Sequence, residues 1–222
     1  MYRRYKGSKG TEKKTPGCTF YFINCDEYTY RAKIAEKGYI TFYSTDPAAK
    51  HYALRIEKRT LSKMEPIVWD VRNLNIGTGN LSIYENFTSY MNEYEEEILD
   101  ADIFIIERQP PLNYTTVRLS QHNLSYLQIK LSGVNKRPRV IVEIDPNHTR
   151  SVLGIPARNK KPKQVKTLSI QEYMKTLLNY GDEWSISILE KQGKKDYLVD
   201  TGNQIEAFCR ETEILNFFIF SA

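Results

Sequence analysis

From residue 39 onward, apolar residues come in short bursts whose spacing changes along the chain. Residues 39–45, 52–59 and 66–71 are three β-rich stretches separated by short gaps, which predicts an antiparallel meander. Helical spacing follows: Leu81, Tyr84, Phe87, Tyr90, Met91, Tyr94 and Ile98 predict one amphipathic helix over 81–99. Two stretches rich in Ile and Val, 102–107 and 139–144, read as buried strands. Between them a helix is expected from near Leu112, with Val117, Leu119, Leu124, Leu127 and Leu131 facing the core. Ser169, three residues before Glu172, predicts a capped helix over 169–178, and a last helix is expected over about 194–209.

Earlier in the chain, 18–23 and 28–34 flank Asn24-Cys25-Asp26-Glu27 and predict a hairpin. Residues 1 to about 16 have little to bury and read as a basic arm. The polar stretch 145–168 is long for a compact domain, a length that usually marks a functional or mobile loop. The pattern as a whole defines an α/β chain with a mixed sheet, three antiparallel strands and then two parallel ones, flanked by helices. It divides into an N-terminal extension (1–38) and a main domain (39–222).

Composition narrows the class. With 222 residues, 41% of them hydrophobic, the chain can bury a full core, and its mean hydropathy of −0.54 excludes a membrane-spanning class. Cys18, Cys25 and Cys209 lack zinc spacing and predict reduced thiols, and the polar N-terminus predicts an intracellular protein. The net charge of +5 is unevenly spread: Arg3, Arg4, Lys6, Lys9, Lys13 and Lys14 crowd one end. Arg150, Arg158, Lys160, Lys161, Lys163 and Lys166 crowd the long connection, while Glu93, Glu95, Glu96 and Glu97 form an acidic patch. Basic clusters favour phosphate, although each is equally readable as a solvated surface.

Three acidic segments carry the candidate chemistry. Asp46 ends the first β-rich run, Glu107 ends the Ile103–Ile106 run, and Asp196 and Asp200 lie in the late stretch. A carboxylate at the tip of a buried strand is costly to desolvate without a partner, and several meeting at one point make an oxygen cage for Mg²⁺. Each has a plainer reading alone: Asp46 as a turn residue before Pro47, Glu107 as a partner of Arg108, the late pair as an exposed helix face. There is no phosphate-binding glycine loop, and His122 has no nucleophile around it.

The motifs, taken in order, resemble the RuvC-type Holliday junction resolvases of poxviruses and related large DNA viruses, which have a ribonuclease H-like fold. The resemblance rests on Thr45-Asp46-Pro47-Ala48-Ala49-Lys50-His51, Ile105-Ile106-Glu107-Arg108-Gln109-Pro110, Arg139-Val140-Ile141-Val142, Ser169-Ile170-Gln171-Glu172-Tyr173 and Lys194 to Asp200. It implies a homodimeric endonuclease that makes paired, symmetric cuts in four-way DNA junctions during recombination or viral genome processing, leaving 5′-phosphate and 3′-hydroxyl ends. It also implies two Mg²⁺ ions per site, with Mn²⁺ as the alternative, and no small-molecule cofactor. Asp46, Glu107, Asp196 and Asp200 would hold metal, and Lys166, with Lys163 as second choice, would supply the basic group of the site. Lys50, Arg108, Arg118, Lys160, Lys161 and Lys163 would contact DNA, and sites of viral DNA replication would be the location.

The sequence departs from the family pattern twice. Tyr197 stands where the family has the second of two adjacent aspartates, and His51 stands where it usually has Asn. These departures keep two other readings open: a catalytically impaired relative that binds branched DNA, or a nuclease of the same fold acting on flaps or RNA–DNA hybrids. The apolar stretch 214–220 is expected either to dock on the core or to form part of a dimer interface.

Overall fold

The computed structural model describes residues 12–77, 81–133, 137–191 and 195–215. Seven strands form one mixed sheet: β1 (Glu12–Thr15), β2 (Cys18–Ile23), β3 (Ile40–Asp46), β4 (Tyr52–Arg59), β5 (Met64–Arg72), β6 (Ile103–Glu107) and β7 (Arg139–Ile144). Their order is β1-β2-β7-β6-β3-β4-β5. β3, β6 and β7 run parallel at the centre, β4 and β5 continue the meander antiparallel, and β2 pairs antiparallel with β7. The helices are α1 (Glu27–Lys37), α2 (Ser82–Glu93), α3 (Glu95–Asp100), α4 (Tyr114–Gly133), α5 (Pro146–Val152), α6 (Pro162–Tyr180), α7 (Glu183–Lys191) and α8 (Asp196–Thr212).

Alternation along the central strands builds two cores. Ile40 and Phe42 of β3, Ile103 and Ile105 of β6, and Val140 and Val142 of β7 pack with Ile205 and Phe208 of α8. Tyr43, Phe104, Ile106 and Ile141 face the other way, against Phe87, Tyr90 and Met91 of α2 and Leu119 and Leu127 of α4. A sheet covered on both faces favours strands rich in apolar residues, as the centres of β6 and β7 are.

β4 shows a different solution. Arg55, Glu57 and Arg59 alternate with Leu54 and Ile56 as if facing water, yet all three are fully buried. Glu57 pairs with both arginines; Arg59 reaches Glu206 of α8 at 2.6 Å and Arg55 reaches Asp182 at 3.3 Å. Arg55 also stacks 4.4 Å from the Trp69 ring. Burial pushes the Glu57 carboxyl up, but the two guanidiniums outweigh it and hold it below the usual range. Helix α8 then comes close to α6: a Cβ on Gly202 would lie 2.0 Å from Cζ of Tyr173, so only glycine fits there.

Several expectations change. Residues 28–34 are not a strand but part of α1: Asp26 caps the helix by accepting from Thr29 N at 2.8 Å, and Tyr30 and Ile34 bury one face. The hairpin is instead β1–β2, so 12–15, expected in the arm, form a strand. With β2 and α1 they join the main sheet and core. Residues 1–11 lie outside the described residues. The 81–99 helix divides at Tyr94 into α2 and α3. Ser169 is no cap; it is buried inside α6, which starts at Pro162 because proline suits a first helical position. The long connection is shortened by α5 and by the early start of α6, and α7 had no counterpart in the sequence reading. Ile214 and Leu215 dock in the core, while the rest of that apolar stretch lies outside the described residues. Cys18, Cys25 and Cys209 are free thiols, and among the described residues no helix is long and apolar enough to cross a membrane.

Candidate active site

The parallel register places two acidic strand tips side by side. Thr45 of β3 pairs with Ile106 of β6, so Asp46 and Glu107, each one residue further on, end together. Both continue the positions that face α8 rather than α4 (Phe42 and Ser44 on one strand, Ile103 and Ile105 on the other). α8 brings Asp200 to the same place, one turn after Asp196, since residues four apart share a helix face. Electrostatics records the meeting: Asp46 and Asp200 each raise the proton affinity of Glu107, and Asp46 and Asp196 raise that of Asp200.

Neutral amides bridge the carboxylates. Gln109 Nε2 donates to Asp46 Oδ1 and Glu107 Oε1, each at 3.4 Å. Gln204 Nε2 donates to Glu107 Oε2 at 3.1 Å, and Ser44 Oγ donates to Gln204 Oε1 at 2.8 Å. Among the described residues, none of Asp46, Glu107 and Asp200 has an ion pair within 4.0 Å. Burial pushes the Asp46 carboxyl up to about 6, with Asp196 adding to the rise and Gln109 and Lys166 opposing it. Burial pushes Asp200 up to about 8, reinforced by Asp46 and Asp196. Glu107 lies well above the usual carboxylate range, through burial first and then the charges of Asp46 and Asp200.

Lys166 and Tyr197 occupy the rim. Lys166 Nζ hydrogen-bonds Asp196, a contact that raises the lysine's own pKa, and it lies 5.4 Å from the centre of the Tyr197 ring. Tyr197 packs against His51, so the two departures from the motif touch. Arg150 of α5 stands on the other flank, lining a small cavity with Glu107, Asp200, Asn203 and Gln204.

The donor set fits a divalent cation. All four acidic side chains offer hard oxygen. Burial first, then the charges of the neighbouring carboxylates, raises the proton affinity of three of them, which Lys166 and Arg150 only partly offset. No three of their oxygens close to within 4.8 Å; Gln109 bridges two of the carboxylates and Lys166 engages Asp196. The one group of three ligating side chains that does, among the described residues, is Cys18, His148 and Glu211.

Of the sequence-predicted residues, Asp46, Glu107, Asp196, Asp200 and Lys166 come together. Lys50 is exposed in the turn after β3, and Lys160, Lys161 and Lys163 are exposed at the start of α6, ahead of Lys166. Arg108 points toward β2, donating to Thr19 Oγ1 at 3.0 Å. Arg118 is exposed on α4, across the sheet from α8. Sequence reasoning missed Gln204, Ser44 and Arg150 as parts of the site. The signal for Gln204 is its place one turn beyond Asp200 on the Asp196 face.

No family model matches the sequence, and no curated protein matches it. Solved structures do match the fold. The yeast mitochondrial Holliday junction resolvase Ydc2 aligns with a TM-score of 0.56 at 16% identity, over 86% of this chain and 90% of its own. RuvC of T. thermophilus in complex with a Holliday junction substrate aligns at 0.52 and 10% identity, over 78% and 95%. The fowlpox virus resolvase in complex with Holliday junction DNA aligns at 0.51 and 16% identity, over 78% and 99%. The chain has the ribonuclease H-like α/β fold of the RuvC-type resolvases.

Proposed function

We propose that this chain is a divalent-metal-dependent, structure-selective DNA endonuclease that resolves four-way junctions. The observation that carries the proposal is the meeting of Asp46, Glu107 and Asp200, from β3, β6 and α8, without a basic partner among them. It is supported by the likeness of fold to proteins whose solved structures hold Holliday junction DNA. Asp46, Glu107 and Asp200 would hold Mg²⁺ or Mn²⁺, with Asp196 as a further ligand. A divalent ion there would activate water and offset the charge that develops on a phosphodiester, leaving 5′-phosphate and 3′-hydroxyl ends.

The chain's own groups divide the remaining work. Gln204 and Gln109 orient the carboxylates through their amide donors. Lys166 holds Asp196 and offers positive charge to a scissile phosphate at the rim. Lys50, Lys160, Lys161 and Lys163 contribute sequence-independent attraction to the DNA backbone. Two copies of the chain would match the two-fold symmetry of a junction.

Cleavage of four-way junction, flap, duplex and RNA–DNA hybrid substrates with Mg²⁺ or Mn²⁺ tests the proposal. Preferential junction cutting that Asp46→Asn or Glu107→Gln abolishes, with binding retained, is expected; cutting by these variants at the parental rate would remove the assignment. The second reading, a branched-DNA-binding relative with impaired cleavage, is favoured by one observation: Tyr197 packs on His51 at the position where the family pattern has an aspartate. A large gain in cleavage by Tyr197→Asp would support it.

A further inference from the structure

Cys18 opens β2, His148 lies in α5 and Glu211 lies in the last turn of α8. Far apart in the chain, their side chains meet beyond the carboxylate centre, two strands across from Glu107: Cys18 pairs with Ile144, which pairs with Glu107. His148 Nε2 lies 2.9 Å from Glu211 Oε2, and Cys18 Sγ donates to the same oxygen at 3.9 Å. All three ligating atoms lie within 4.8 Å of one another. We propose that Cys18, His148 and Glu211 form a second metal site, for Zn²⁺ or a similar borderline-soft divalent cation, separate in place and chemistry from the carboxylate centre.

The donor types and their spacing carry the argument. Sulfur, imidazole nitrogen and carboxylate oxygen are the ligands Zn²⁺ takes. Bond lengths of about 2.0–2.3 Å in a tetrahedron put neighbouring donors roughly 3.3–3.6 Å apart. The His148–Glu211 and Cys18–Glu211 spacings fall on either side of that range, each within about half an ångström of it, and the Cys18–His148 spacing is within 4.8 Å. Side-chain adjustment therefore brings the three donors to one ion. The cage is also tied together by backbone. Gly17, at φ +78°, leaves room for the imidazole: a Cβ there would lie 2.2 Å from Cγ of His148. Asp145 N donates to Gly17 O at 2.9 Å, and the Asp145 side chain caps α5 through Asn147 N at 2.7 Å. The turn that launches Cys18 is therefore fastened to the helix that carries His148.

The cluster also contrasts with the carboxylate centre. That site offers oxygen alone and suits a hard ion; this one includes a buried thiol, only 1% exposed, whose sulfur faces a carboxylate. Binding would replace the thiol proton, released to solvent, with a metal–sulfur bond. The bound ion would staple the β2 strand, α5 and the end of α8. Since α5 also carries Thr149 and Arg150 along the cavity beside Glu107 and Asp200, the staple would hold one wall of the carboxylate centre.

Cobalt titration of metal-free full-length protein tests the site without measuring nuclease activity, so its failure is separable from failure of the proposed function. The titration is made in an Asp46→Asn, Asp200→Asn background, which weakens the carboxylate centre. One equivalent of Co²⁺ is expected to give a thiolate-to-metal charge-transfer absorption that Zn²⁺ displaces. Cys18→Ser should abolish the band, whereas Cys25→Ser and Cys209→Ser should keep it. His148→Gln and Glu211→Gln should weaken affinity by more than the roughly 10- to 100-fold that loss of an outer partner brings. Circular dichroism checks the folding of each variant, and His148→Gln decides the matter if Cys18→Ser does not fold. Folded parent protein that gives no thiolate band, a band that survives Cys18→Ser, or a band that forms in His148→Gln at unchanged Co²⁺ affinity overturns the proposal.

Discussion

The Tyr197 and His51 rings pack against each other, with centroids 4.6 Å apart and planes inclined by 36°. One ring comes from the first turn of α8, the other from the turn that follows Asp46. The two positions at which the sequence departs from the pattern it resembles therefore touch, in an aromatic contact at the rim of the site.

That contact should be measurable as coupling. Tyr197→Ala and His51→Ala are each expected to destabilise the protein. The double variant should cost less than their sum by about 0.5–1.5 kcal/mol, the range for aromatic pairs. Urea denaturation of the four proteins in the cycle checks this.

Gln204 holds Glu107 from α8 and is itself held by Ser44. Gln204→Leu keeps the volume but removes both amide groups, which should cost about 1–3 kcal/mol of stability by leaving the Glu107 acceptor and the Ser44 donor without this partner. Junction cleavage should slow by about tenfold or more with little change in junction affinity, equivalent to at least roughly 1.4 kcal/mol of barrier. Binding and single-turnover cleavage, measured side by side, separate the two effects.

The raised carboxyl affinities fix the direction of a pH dependence. Asp46, at about 6, and Asp200, at about 8, bind protons more tightly folded than their ordinary value of 3.8. Their contribution to stability is therefore full below about pH 4 and is lost as pH rises through the two folded values. In EDTA the melting temperature should fall across this window more steeply than in Asp200→Asn, and Asp200→Asn should melt higher near pH 8. Adding Mg²⁺ or Mn²⁺ at that pH should raise the parent's melting temperature, and the Asp200→Asn variant's much less. Differential scanning calorimetry of both proteins, with and without metal, checks the sign, and the comparison cancels groups that titrate alike in the two.

Arg59 is buried between Glu57 and Glu206. Arg59→Met keeps the bulk but leaves Glu57 with Arg55 alone and Glu206 with Arg210 alone, and should destabilise by up to about 3–5 kcal/mol. The expected signature is a lower urea midpoint at an unchanged slope, because the surface exposed on unfolding hardly changes.

These residues also show what the sequence could and could not disclose. β6 and β7 were readable because strands covered on both faces are rich in Ile and Val, and Asp46 and Glu107 stood out as charges at the ends of apolar runs. The burial of β4 was not legible: the alternation of Arg55, Glu57 and Arg59 is what an exposed face looks like, and only the fold supplies Asp182 and Glu206 as their buried partners. The 28–34 stretch was ambiguous because its tyrosines suit strands, whereas the Asp26 cap commits it to a helix. Gln109 sat inside a recognised motif, but its bridging role, like that of Gln204, depends on which carboxylates the topology brings within reach. Neutral amides carry no charge signature that would reveal this in advance.

The packing of α8 has one more consequence, which concerns its rotation about its own axis. Glu206 is bonded to Arg59, Gly202 lies under Tyr173, and Gln204 is held between Ser44 and Glu107. These three locks lie within five consecutive residues and key the helix like a shaft in a slot. Turning it by one residue, about 100°, would break a buried ion pair and drive a side chain into the Tyr173 ring. The helix therefore cannot roll to exchange Tyr197 for a neighbouring carboxylate. Whatever α8 offers to the strand tips is decided by the residue written at each position, and a change in metal ligation has to come by substitution.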